Sequence, residues 1–211
     1  MGSFIQIPTI DARLEDGVTA AIWATKVAAA GDSVSTAILR TGWEQGATTN
    51  QFQKLWRAVS VANLNSLPFE GQIVGARLIL NVETISSLNA KPSIVLTRCQ
   101  PASYEELVAS DYAMVDVVPF SNEIAFAGLA IDTDIVFEFN QDGIDYLNTQ
   151  MGMASWAALA VRTLNDVNDV APTWSTKLSS NTTYTFHTHE DGEAIGPRFY
   201  LEYEDGNFMM V

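Results

Sequence analysis

His187 and His189 stand two residues apart, and an imidazole can move a proton near neutral pH or ligate a metal. On a strand, that spacing sends both rings to the same face. Glu190, Asp191 and Glu193 follow immediately in His187-Thr-His-Glu-Asp-Gly-Glu193, so oxygen ligands are near. A catalytic metal centre needs ligands from a second segment, and the chain has only 2 histidines. The segment therefore reads as two exposed imidazoles beside a hairpin turn, and no catalytic residue is assigned.

Asn165-Asp-Val-Asn-Asp169 collects hard oxygen ligands, and Asp166, Asn168 and Asp169 could hold a calcium ion. The spacing and closing glutamate of an EF-hand are missing, and a solvated turn is the competing reading. No other cofactor is expected. Glu105 and Glu106 are adjacent on an expected helix, so they diverge and do not flank a scissile bond. Cys99 is the 1 cysteine, which excludes an intrachain disulfide and a thiolate zinc site; a buried, inert thiol is expected.

Flat aromatic rings on an exposed face can stack on sugar rings. Of the 5 tryptophans, Trp43 and Trp174 lie beside polar turn residues and are the two predicted to be exposed. Most of the others belong to a core.

The charge limits the partners. There are 25 acidic against 11 basic residues, a formal charge of −14, and no basic run that could neutralise phosphates. Nucleic acid and anionic membrane surfaces are thereby disfavoured. With 47% apolar and 17% charged residues the chain is globular, and 211 residues can bury one sizeable core. No stretch resembles a secretory signal or is long enough to span a bilayer, so synthesis in the cytoplasm is expected.

The elements that must position these residues are mostly strands. Gln72–Val82 alternates, with Val74, Ala76, Leu78, Leu80 and Val82 on one face and Arg77 and Asn81 on the other. Pro197–Tyr203 is its expected counterpart, placing Phe199, Leu201 and Tyr203 inward. Phe52–Ala62 has no polar face, which predicts a strand covered on both sides. Further strands are predicted at Ser33–Trp43, Ser93–Arg98, Asp134–Asn140, Trp156–Arg162 and Thr182–His189. Short helices are expected within Ala20–Ala30, where a strand reading stays open, from Tyr104 to Met114 after an N-cap at Ser103, and at Gln141–Asn148. Phe4–Leu14 reads as an extended arm or edge strand broken at Pro8.

This pattern predicts an all-β protein, an antiparallel β-sandwich of jelly-roll type with a few short helices. The expected organisation is an arm or edge strand over residues 1–19, the sandwich over 20–205 and an apolar tail over 206–211.

The run Leu55-Trp-Arg-Ala-Val-Ser-Val-Ala-Asn-Leu-Asn-Ser-Leu-Pro-Phe-Glu-Gly-Gln-Ile-Val-Gly-Ala-Arg-Leu-Ile-Leu resembles the shared core of DNRLRE-type jelly-roll modules. The likeness continues through Phe137–Asn148, Trp156–Asp166 and Gly196–Tyr203. Such modules occur in bacterial surface proteins, as carbohydrate-binding modules and in virion proteins of tailed phages. The resemblance implies a non-enzymatic virion structural protein, a capsid decoration, fibre or tail component, assembled in the host cytoplasm and displayed on the extracellular particle. Its partners would be further copies of itself, in a homo-oligomer, and other virion proteins. Phe4, Ile5, Ile7 and Ile10 in the arm, with Phe208, Met209 and Met210 in the tail, are the expected contacts. The alternative is a carbohydrate-binding module of an adhesin or polysaccharide-acting system, with glycans at Trp43 and Trp174.

Overall fold

Ala76, Leu78, Leu80 and Val82 are all at most 8% exposed while Arg77 and Ile79 between them are only half-buried, so this segment sets one face into a core. The computed structural model of the protein describes residues 2–17, 19–66, 71–87, 91–153, 155–175 and 181–204. Its strands are β1 (Gly2–Gln6), β2 (Ile10–Asp16), β3 (Ser33–Ser35), β4 (Leu39–Gln45), β5 (Phe52–Asn63), β6 (Gln72–Ser87), β7 (Ile94–Cys99), β8 (Val115–Pro119), β9 (Asp134–Glu138), β10 (Trp156–Thr163), β11 (Asn181–Phe186) and β12 (Arg198–Glu204). The helices are α1 (Trp23–Val27), α2 (Gln141–Met153) and α3 (Leu164–Val167).

Every ladder among the described residues is antiparallel. One sheet runs β1-β12-β6-β9 and the other β5-β10-β7-β8. Numbered among themselves, these strands lie in the orders first-eighth-third-sixth and second-seventh-fourth-fifth, which is a jelly roll. The remaining strands elaborate it. β2 lines one edge of β5, β4 takes residues 52–56 of the other edge, and β11 joins β4 to the far end of β6.

The main core lies between the sheets, with Leu78, Leu80, Phe137, Phe199 and Leu201 facing Ala58, Leu96, Leu159 and Val161. α2 contributes Ile144 and Leu147. A second core covers the outer face of the second sheet. There Leu55, Val59 and Val61 of β5 and Ala158 and Ala160 of β10 pack with Trp23, Trp43, Phe52 and Tyr112. β5 and β10 are therefore buried on both faces, as the mixed pattern of Phe52–Ala62 predicts.

Some expectations are corrected. Val74 is 40% exposed and Ile73 1%, because Glu202 pairs with Gly75 but Tyr203 with Ile73, leaving Val74 as the extra residue of a bulge. Ser33–Trp43 is broken into β3 and β4. No helix starts at Tyr104; the Ser103 hydroxyl accepts from the N–H of Glu105 instead, and only a 3-10 turn forms at Ala109–Met114. α2 runs on to Met153, well past Asn148, and α3 occupies what reads as loop.

Gly42 holds β4 against β11. Its φ is 129°, and a Cβ there would lie 2.0 Å from the carbonyl oxygen of Thr182. Gly42→Ala is expected to destabilise by about 2–4 kcal/mol, through backbone strain and the forced separation of the two strands. A thermal midpoint equal to that of the parent would refute the close approach.

Candidate functional site

The two histidines do not share a ligand. The chain leaves β11 at Phe186, so the strand geometry that would align the rings ends before them. His187 Nδ1 lies 3.2 Å from Asp191 Oδ2, whereas His189 Nδ1 lies 3.3 Å from Oδ2 of Asp11 on β2. The backbone N–H of His189 also donates to that oxygen at 2.8 Å. The hydrogen bond to Asp11 raises the pKa of His189 against the opposing effect of burial. Among the described residues no three His, Cys, Asp or Glu side chains are grouped to hold a metal ion.

The predicted calcium ligands do not converge either. Asn168 and Asp169 are exposed, but Asp166 is 1% exposed and turned inward. Arg57 grips it with two bonds, Nε to Oδ2 at 2.9 Å and Nη2 to Oδ1 at 2.8 Å. Arg162 Nε donates to the same Oδ2 at 2.7 Å. Thr163 caps α3 by accepting from the N–H of Asp166. Burial pushes the Asp166 carboxyl upward, yet Arg57 and Arg162 outweigh it and leave the pKa at about 2. Burial likewise opposes the charge on Arg57, and Asp166 overcomes it, so that pKa is raised. Arg57 also lies 4.0 Å from the ring centroid of Tyr112 and donates to the carbonyls of Tyr112 and Val27. This cluster was missed in the sequence, although arginines inside two-sided apolar strands at 57 and 162 call for a buried acid, and Asp166 follows Arg162 by one helical turn.

Trp43 is 1% exposed and offers no platform for a sugar. Its ring meets Trp23 edge-on at 5.6 Å in the second core, and Glu44 and Gln45 supply only the neighbouring polarity. Trp174 is half-buried, with its indole N–H closed off from solvent and, among the described residues, without a hydrogen-bond partner. Trp23 and Trp56 are core residues, and half-buried Trp156 stacks on Tyr104.

Among the described residues, the outer face of the first sheet carries exposed apolar side chains. Register places Ile5, Tyr200, Arg77 and Glu138 in one row across its strands, and Arg198, Ile79 and Val136 in the next. Arg77 covers the Tyr200 ring at 4.8 Å, while Ile5, Val74 and Val136 are 49%, 40% and 37% exposed. β1 pairs only with β12, so alternate backbone groups along its other side are unpaired by any described strand. The other expected contacts differ in placement. Phe4 and Ile7 are half-buried, Ile10 packs against the second core, and Phe208, Met209 and Met210 lie outside the described residues.

The fold class is thus an antiparallel jelly-roll sandwich with a second hydrophobic core and a buried Arg57–Asp166–Arg162 cluster. No protein-family model matches the sequence, and no curated protein matches it.

Asp166→Asn leaves two buried guanidiniums without their counter-charge and is expected to cost about 3–5 kcal/mol. Because the folded pKa of Asp166 lies below its ordinary 3.8, its contribution is present above that value and lost as pH falls toward about 2. That contribution is about 2 kcal/mol, so chemical denaturation between about pH 5 and 2 should show the loss in the parent and not in Asp166→Asn.

Proposed function

We propose that this protein is a non-enzymatic structural subunit of a virus-like or phage particle, a capsid decoration, fibre or tail component that acts through self-association and contacts with other virion proteins. The observation that carries the proposal is the uncovered face of the first sheet, where Ile5, Val74, Ile79 and Val136 surround the Arg77–Tyr200 stack beside the free edge of β1. The resemblance to DNRLRE-type modules adds support.

Magnitudes qualify how this face acts. Four strands about 4.8 Å apart and roughly 20 Å long present about 400 Å². A stable interface buries about 800 Å² on each partner. The face alone makes a weak contact, so the β1 edge and neighbouring segments must contribute to a lasting one. Light scattering at micromolar concentration is expected to give a homo-oligomer, and Ile5→Lys with Val136→Lys a folded monomer. A parent that is monomeric in both low-salt and physiological buffer would remove the basis for this reading.

A second reading, a carbohydrate-binding module, is favoured by a groove of about 470 Å³ between β7, β8 and α2. Arg98, Gln100, Asp142 and Gln150 line it with polar groups, and the Tyr104 hydroxyl bonds Gln150, bringing the Tyr104–Trp156 stack beside it. Glycan arrays should then show binding that weakens at least tenfold in Asp142→Ala and Gln150→Ala, about the effect of losing one good hydrogen bond to a ligand. Arrays with no signal from the parent would exclude it.

A further inference from the structure

Arg57 and Arg162, each at most 2% exposed, share the single carboxylate of Asp166. Arg57 and Arg162 also line a pocket of about 120 Å³, whose other lining residues are aliphatic and include Val27, Ala29, Val115 and Val117. A guanidinium has five N–H bonds. Arg57 uses four, on Asp166 and on the carbonyls of Tyr112 and Val27. Arg162 uses three, on the Asp166 carboxylate and on the carbonyls of Asp116 and Asp166. Among the described residues nothing accepts the rest. The neighbouring acids are committed elsewhere. Asp111 accepts from the backbone N–H groups of Ala102 and Val108, and the Asp116 carboxylate pairs with Arg98.

We propose that this pocket binds a compact monovalent anion, a halide or the carboxylate of a small acid, seated between Arg57 and Arg162 on their unused N–H bonds. Size selects that class. A volume of about 120 Å³ has room for chloride with water or for acetate. Chemistry agrees, because rigid, weakly hydrated guanidiniums hold an anion better than a solvated ammonium would. The chain's formal charge of −14 works against any anion, so occupancy is decided by these local donors and not by the surrounding field.

The test follows thermal unfolding of the full chain at constant ionic strength in 2-(N-morpholino)ethanesulfonate, an anion bulkier than the proposed ligands, as it is replaced by chloride, bromide or acetate. The midpoint is expected to rise by a few degrees and to saturate, the signature of a ligand bound only by the folded state. A crystal soaked in bromide should show its anomalous peak between the two guanidiniums. Ala113→Phe and Val117→Phe narrow the mouth at exposed positions and leave the arginines untouched, so either folded variant should lose the rise. Equal midpoints in all four anions, bromide only at other sites, or an undiminished rise in a folded blocked variant would each overturn the proposal.

Discussion

The grip of Arg57 and Arg162 on Asp166 is the constraint that shapes this variant of the jelly roll. Taking charged groups out of water costs several kcal/mol per ion, and only good geometry with nearly complete hydrogen bonding offsets it. Here Asp166 is met from two directions, and the carbonyls of Val27, Tyr112 and Asp116 accept the outer N–H bonds. Those carbonyls belong to α1, to the 3-10 turn and to β8, so one polar centre ties the outer layer to β5 and β10. An apolar cluster of the same volume would hold as well, and often better. What it would lack is direction: hydrocarbon contacts allow a layer to slide, whereas bidentate bonds accept one position. The role of the triad is thus to fix where the outer layer docks.

Docking that layer decides which surface remains. The second sheet carries a core on each side, and α2 adds Ile144 and Leu147 to the main core. The first sheet has the main core behind it and side chains such as Ile5, Arg77, Val136 and Tyr200 in front. With 25 acidic residues against 11 basic, general repulsion between copies is strong, and any association would have to be local and apolar to overcome it. A cation stacked on tyrosine with isoleucine and valine around it is a suitable centre, since it presents little bare negative charge.

How much of this was legible in the sequence follows from what each signal measures. Alternation records burial on one face, so β6, β9, β10 and β12 were readable, and the absence of a polar face disclosed that β5 is covered twice. Alternation cannot record a bulge, because the extra residue Val74 is as apolar as the one it displaces. Polar neighbours mislead in the same way. Glu44 and Gln45 made Trp43 look exposed, but its indole falls in the second core against Trp23. Asp166 looked like a loop acid because its partners lie 109 residues upstream in Arg57 and across a helical turn in Arg162. The Arg57 pairing belongs to the topology, and local sequence carries only the short step from Arg162 to Asp166.

The same distance effect governs the groups with reactive potential. His189 reaches back 178 residues to Asp11, pinning the turn after β11 to β2, and His187 is held within that turn by Asp191. Burial pushes the Cys99 thiol up to about 12, with Asp111 adding to the shift and Arg57 opposing it. Tyr112 is raised as well, by burial first, while its hydroxyl donates to the carbonyl of Lys26. His189 and Tyr112 each link two segments that are far apart in the chain. They are placed where a fold of many short strands needs cross-links, since such strands gain little from local contacts and must be held by long-range ones. Polar chemistry in this molecule is thereby directed inward, to fastening layers, while Ile5, Val74 and Val136 stay turned outward on the first sheet.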